Sequence, residues 1–168
     1  MSSEKRFPIR YIPSTLSDTD KKIQYNMLLQ SKKKYEKNKY FTRKKISSYV
    51  PKKSSHILNA RKIYNITTIT PNKELSRKTG CSLEALQQIV RKGEGAYYSS
   101  GSRPNQTPQS WGLARLASSL TSGKSAAVDY AIIEKGCNHK MKAFILANKS
   151  RKKYKYGQGH TPKSSFIP

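Results

Sequence analysis

Three histidines, His56, His139 and His160, are the side chains best suited to moving protons near neutral pH, and they fall in three different segments of the chain. General acid–base catalysis needs a positioned proton carrier beside a second polar group, and the spacing offers no such pair. Asp129 and Glu134 are five residues apart, which puts them on different faces of a helix. Cys137 and His139 form one close pair, with Cys81 far away; a zinc site draws four ligands, usually as two such pairs. Ser122-Gly123-Lys124-Ser125 ends like a phosphate-binding loop. The first glycine of that loop would fall at position 118, which is Ser, and a strand would have to precede it where a helix is expected. Gly93-Glu94-Gly95 lacks the third glycine of a dinucleotide-binding turn. No enzymatic activity, metal or cofactor is expected.

The chemistry present in quantity is that of cations and tyrosines. Lys32-Lys33-Lys34, Arg43-Lys44-Lys45, Lys52-Lys53, Arg61-Lys62 and Arg151-Lys152-Lys153 recur along the chain, interleaved with Tyr25, Tyr35, Tyr40, Tyr49, Tyr64, Tyr154 and Tyr156. Cations neutralise phosphates and release counterions; tyrosines stack on bases or pack flat on protein. With 34 Lys+Arg against 9 Asp+Glu the formal net charge is +25, and self-repulsion of that size favours an acidic partner. Charge alone leaves open whether the partner is nucleic acid, an anionic membrane surface or an acidic protein. A helix over 83–92 would also present Glu84, Gln87, Gln88 and Arg91 together, and Gln pairs with adenine edges as Arg does with guanine. The same face would serve a protein contact.

A scaffold must position these groups, and apolar content limits it. Leu, Ile, Val and Phe number 31 of 168 residues, a low share that, with high charge, marks disorder or a partner-dependent fold. No apolar run approaches the roughly 20 residues of a membrane span, and the N-terminus lacks an apolar signal core. Two cysteines cannot make a disulfide framework, so reduced thiols in an intracellular setting are expected. The charge divides the chain into a basic arm over 1–68 (+13), a middle segment over 69–147 (+6) that holds most of the Gly and Ala, and a basic extended tail over 148–168 (+6).

Local signals predict a mainly α protein. Pro8 and Pro13 keep the first residues extended. Ser17 and Asp20 read as a capping box opening a helix over about 18–37, with Ile23, Met27 and Gln30 on its apolar face. Ser54 or Ser55 opens a short helix through Tyr64 that buries Ile57, Ala60 and Tyr64. Thr70-Pro71 reads as the start of a helix that stops at Gly80; Ser82 caps a second, Leu83 to Lys92, closed by Gly93. Joined through Gly80-Cys81-Ser82, the two have helix-turn-helix spacing. Residues 93–110 are expected to be loop, 109–120 helix with Trp111 and Leu116 inward, and 124–135 a further helix closed by Gly136. Met141 to Leu146 fits helix and strand equally.

The stretch Gly95-Ala96-Tyr97-Tyr98-Ser99-Ser100-Gly101-Ser102-Arg103-Pro104-Asn105-Gln106-Thr107-Pro108, followed by Ser110-Trp111 and Ala114-Arg115-Leu116-Ala117-Ser118, is distinctive. It resembles a family of small basic proteins of large icosahedral double-stranded DNA viruses of algae and protists. Arg10-Tyr11-Ile12-Pro13, Asp20-Lys21-Lys22 and Tyr40-Phe41-Thr42-Arg43-Lys44-Lys45 are similar to that family too, so the resemblance covers most of 7–137. It implies a virion setting after synthesis in the host cytoplasm, where small basic proteins cement the capsid or coat the genome.

The expectation is therefore a small helical module carrying extended basic arms, acting as a minor capsid or cement protein that bridges larger capsid subunits on the inner face of the shell, within a large assembly. Its expected partners are major and minor capsid proteins, with nucleic acid or an anionic membrane surface left open. The candidate partner-binding residues are Arg103, Tyr97, Tyr98, Trp111, Arg115, Arg43, Lys44 and Lys45. The alternative is a genome-binding protein, a condensing factor or a helix-turn-helix regulator that reads DNA through Gln87, Gln88 and Arg91.

Overall fold

The computed structural model describes residues 5–52, 54–155 and 161–168. Lys53, Tyr156 and His160, named above, lie outside the described residues. Among the described residues a 3-10 turn, Ile9–Tyr11, is followed by eight helices: α1 Asp18–Glu36, α2 Ser55–Tyr64, α3 Lys73–Thr79, α4 Leu83–Ser99, α5 Pro108–Ser119, α6 Lys124–Val128, α7 Tyr130–Gly136 and α8 Lys142–Lys153. The protein is mainly α, and the described residues contain no strand beyond two isolated bridges. No helix among them is long and apolar enough to cross a membrane.

Two compact units emerge, one from residues 5–52, 94–111 and 161–168 and the other from 54–93 and 112–155. Both draw on discontinuous stretches, and α4 and α5 each contribute to both. The three consecutive segments suggested by charge are therefore not the units of packing.

The first unit is built on α1. Ser17 Oγ accepts from the Asp20 N–H (3.1 Å), the expected cap. The buried face is Asp20, Gln24, Met27, Leu28 and Ser31, with Tyr25, whereas Ile23 is 44 % exposed. Polar residues take core positions because the surrounding chain is irregular and its backbone groups need partners. Gln24 Nε2 donates to the Tyr11 carbonyl (3.1 Å), the Tyr25 hydroxyl donates to the Lys5 carbonyl (2.7 Å), and Asp20 Oδ2 accepts from the Ser48 N–H (2.9 Å). Phe7, Tyr11, Ile12, Tyr25 and Leu28 form one apolar cluster; Leu16, Met27 and Ile46 form another. The basic non-helical segments lie against this unit. The Ser164 N–H donates to the Phe7 carbonyl (2.7 Å), and Arg43 and Ile46 are buried.

The second unit has the larger apolar core, with Leu75, Leu86, Ile89, Leu116, Leu120 and Ile133 fully enclosed. α3 begins two residues later than expected, because Asn72 rather than Thr70 caps it: Asn72 Oδ1 accepts from the Leu75 N–H (2.8 Å). Gly80 ends it in the left-handed region at φ +78°, as the spacing predicted. α4 does not stop at Gly93. A Cβ on Gly93 would lie 2.6 Å from the Gly112 Cα, so this glycine serves close helix approach rather than termination. The expected loop accordingly shrinks to about residues 100–107. The expected helix over 124–135 breaks at Asp129, whose backbone closes α6 and opens α7. Met141 caps a helix, α8, that starts at Lys142 and runs on to Lys153, into the tail expected to be extended, with Ala143, Ala147 and Ser150 buried along one face. The expectation of free thiols is overturned: Cys81 and Cys137 face each other across an antiparallel bridge and are joined by a disulfide.

Candidate functional site

Among the described residues three charged side chains are buried, Asp20 and Arg43 in the first unit and Asp129 in the second; Arg43 and Asp129 each centre a polar network, and they are held differently. In the first unit Arg43 is 8 % exposed and has no carboxylate partner among the described residues. Nη1 donates to Ser31 Oγ (2.9 Å) and the Tyr97 carbonyl (2.8 Å), and Nη2 donates to Ser102 Oγ (2.7 Å). The guanidinium carbon lies 3.8 Å from the centre of the fully buried Tyr97 ring, a cation–π contact. The Tyr97 hydroxyl in turn accepts from the Arg43 N–H (2.9 Å). Burial pushes the guanidinium pKa down, opposed by the neighbouring tyrosines. Asn105, in the left-handed region at φ 62°, completes the cage: its Oδ1 accepts from the Ile46 N–H (2.6 Å) and its Nδ2 donates to the Ile46 carbonyl (3.3 Å).

In the second unit Asp129 is fully buried and doubly compensated. Arg115 binds it with two parallel hydrogen bonds, Nε to Oδ2 (3.0 Å) and Nη2 to Oδ1 (2.7 Å). Lys92 Nζ sits 3.2 Å from Oδ1, and the Ser119 hydroxyl donates to Oδ2 (2.9 Å). The fork of a guanidinium matches a carboxylate in this way. Asp129 is the sole acid between Glu94 and Glu134, and that isolation in a basic stretch was the one sequence signal that could have singled it out.

Tyr97 and Arg43 are therefore internal, because each completes a buried polar network, and Arg115 is half-buried with its guanidinium turned onto Asp129. Trp111 is half-buried, edge-on to Tyr11 at 5.9 Å. Tyr98 is half-buried, while Arg103, Lys44 and Lys45 are exposed. Arg103 has no ion pair among the described residues. In the helix-turn-helix pair, Ser82 Oγ accepts from the Ala85 N–H (3.1 Å) and caps α4. The turn is tied down by the Ser82 N–H to the Gly136 carbonyl (2.8 Å) and by the Cys81–Cys137 disulfide. Glu84, Gln87, Gln88 and Arg91 are all exposed along the first half of α4, while Ala85, Leu86, Ile89 and Val90 face inward. The structure brings these four together on one exposed face of the second unit.

No group of three or more His, Cys, Asp or Glu that could hold a metal occurs among the described residues. A shallow cleft of about 350 Å³ is lined by residues including Ile9, Ile12, Lys21, Lys163 and Phe166, with no acid, histidine or cysteine.

Residues 8–141 match the model of a family described as a family of unknown function (DUF5824). The chain belongs to this family. The matched span includes Arg43, Tyr97, Arg115 and Asp129, so both buried hubs lie within it. No curated protein and no solved structure matches the chain.

Proposed function

We propose that this protein is a non-catalytic structural component of a large DNA virus particle, a minor capsid or cement protein seated on the inner face of the shell. The observation that carries the reading is where the acids go. Asp129 is enclosed by Arg115 and Lys92, Asp20 accepts from the Ser48 backbone, Asp18 pairs with Lys21 and Glu74 with Lys78. Asp129 and Asp20 are buried and Asp18 and Glu74 make only exposed pairs, so nine acids against 34 Lys+Arg leave the +25 excess facing outward, which calls for anionic surroundings. The resemblance of the 95–118 stretch supplies the viral setting. The Arg43 cage folds the 39–46 segment onto the first unit, so shell partners would meet a folded cationic surface. The test is fractionation of nuclease-treated particles into shell and genome core, with quantitative mass spectrometry of this chain. Fixed stoichiometry with the major shell protein is expected; partition with the core, or absence from particles, would overturn the shell placement.

The exposed Gln87, Gln88 and Arg91 favour a second reading, a DNA-binding protein that reads bases through α4. Good bidentate contacts of this kind discriminate by about 1–3 kcal/mol each. Alanine at the three positions should abolish sequence preference in a competition assay while leaving non-specific affinity. Absence of any preference in the unaltered protein would end this reading.

A further inference from the structure

Three tyrosines outside both hubs touch one another at the surface of the first unit. The Tyr35 and Tyr98 rings are parallel to within 8°, with centroids 6.1 Å apart. Tyr40 lies 4.9 Å from Tyr98 and 6.2 Å from Tyr35. Tyr40 is 72 % exposed and Tyr35 36 %, which is unusual for aromatic rings that could have been turned inward. The backing of this cluster is rigid. Tyr98 stands edge-on against buried Tyr97 at 5.2 Å and 89°, and each of the three follows or precedes a member of the Arg43 cage closely. Tyr98 adjoins Tyr97, Tyr40 is three residues from Arg43, and Tyr35 is four from Ser31, whose hydroxyl donates to the Tyr98 carbonyl (3.3 Å). The buried cation that lacks a carboxylate thus anchors all three chain segments that present the tyrosines.

The surroundings decide what could cover the rings. Between residues 32 and 45 there are eight Lys and Arg and one acid, Glu36. Lys33, Lys37 and Lys39 are exposed, and Lys34 lies over the Phe41 ring at 4.8 Å. A cationic ligand in an aromatic cage would be repelled here, and a neutral one would make no use of the lysines. Unpaired nucleobases on a phosphate backbone use both features, because bases stack on exposed rings while lysines follow the phosphates. We infer that Tyr35, Tyr40 and Tyr98 form a stacking platform for single-stranded nucleic acid. A duplex hides its base faces and would engage only the cations. The inference deepens the reading of an anion-facing surface by naming the unpaired strand as what the first unit recognises.

The test compares Tyr40→Ala with the unaltered full-length protein, using fluorescence anisotropy on a labelled deoxyadenosine 12-mer and on a mixed duplex of the same length over a series of salt concentrations. Tyr40 is exposed, so the fold should survive, and Tyr40→Trp is the rescue variant. Tyr40→Ala should weaken single-strand binding about five- to a hundredfold, change duplex binding by less than about twofold and leave the salt dependence unaltered, whereas Tyr40→Trp should restore affinity. Lys37→Ala should weaken both ligands and shallow the salt slope by about one phosphate contact. If Tyr40→Ala leaves the single strand unaffected, or weakens both ligands equally, the platform is wrong while the anion-facing reading stands. If the unaltered protein binds neither ligand with a salt-dependent affinity, both fail.

Discussion

Each unit builds its main buried polar network around one charged side chain, and the two are opposite in sign and stabilised by opposite means. The second unit surrounds a carboxylate, Asp129, with two cations and a hydroxyl inside a substantial apolar core. The first unit surrounds a guanidinium, Arg43, with neutral acceptors and an aromatic face, beside two small clusters of apolar residues. In a chain of +25 a buried acid is easily compensated, since cations are everywhere; a buried cation is not, because acids are few. Arg43 is retained despite that because five donors in a fixed plane can tie together chain segments that have little else to bury. The comparison teaches that one hub locks a core already formed, whereas the other stands in for a core.

Removing one member of each hub should separate these roles. Asp129→Ala removes the fully buried acid from Arg115 and Lys92, whose side chains are 19 % and 45 % exposed, and breaking a buried pair costs up to about 3–5 kcal/mol. Arg43→Met removes charge-assisted hydrogen bonds but also removes the burden of burying an uncompensated cation, so a smaller loss of about 1–3 kcal/mol is expected. Urea unfolding of both variants measures the difference. An equal loss would mean that Arg43 is worth as much as a compensated pair and would remove the distinction.

The disulfide sharpens the contrast because it staples only the second unit. Cys81 and Cys137 close a loop with a sequence separation of 56 residues. In the chain-entropy picture a crosslink of this span contributes about 2–4 kcal/mol. Cys81→Ser with Cys137→Ser should lower the urea midpoint accordingly. Hydrogen exchange should show faster opening at Leu86 and Ile133 and leave Tyr97 and Leu28 unchanged. Uniform acceleration across both units would show that they unfold as one.

Which features were legible in the sequence follows from how local their causes are. Helix starts at Ser17, Ser54 and Ser82 were readable, because a cap and its amide lie within three residues. Gly80 was readable as a stop for the same reason. Gly93 was misread because its role depends on Gly112, on another helix. The inward face of α1 was misassigned because hydrophobicity was the guide, whereas Gln24, Asp20 and Ser31 are inside to satisfy backbone and Arg43 groups. In the candidate site, the exposed face of α4 followed from helical period alone. Tyr97, Arg43 and Arg115 did not, since their partners are 54 and 14 residues away and an exposed basic residue and a buried one look alike in a sequence. Cys81 and Cys137 were taken as too few for a framework, a compositional argument that says nothing about two residues brought face to face.

Two glycines of α4, two residues apart, test whether the units pack helices equally tightly. Gly93, in the second unit, has no room for a Cβ, since the Gly112 Cα would be 2.6 Å away. Gly93→Ala should therefore destabilise by about 1–3 kcal/mol, despite better helix propensity. Gly95, in the first unit, would meet only the Tyr35 hydroxyl at 3.9 Å, an ordinary contact. Gly95→Ala should stabilise by about 0.5–1 kcal/mol, because alanine loses less conformational freedom on folding. Opposite signs in thermal melts are the expected result; destabilisation by both would mean that the first unit is as tightly packed as the second.

The smallest expected effect is on pH dependence, where Asp20 of the first unit and Tyr64 of the second act on opposite limbs. In the first unit the Ser48 side chain and N–H, acting on Asp20, hold its carboxyl below the usual carboxylate range. A depressed carboxylate pKa contributes stability that is present above about pH 4, its unfolded value, and is lost as pH falls through the folded pKa. In the second unit burial pushes the Tyr64 phenol upward, and its hydroxyl donates to the Leu120 carbonyl at 2.5 Å. The unfolded chain then releases this proton near pH 10 while the folded chain retains it. The Tyr64 contribution is therefore complete below about pH 10 and falls away above it, towards the folded pKa. Asp20→Ala should flatten the acid limb of a stability–pH curve and leave the alkaline limb intact. Tyr64→Phe should do the reverse, at a small loss of stability near neutrality for the missing hydrogen bond. If Tyr64→Phe left the alkaline limb as steep as before, the remaining slope would have to come from Tyr98 and Tyr130, whose phenols burial also raises, and Tyr64 would not be the group that opens the second unit in alkali.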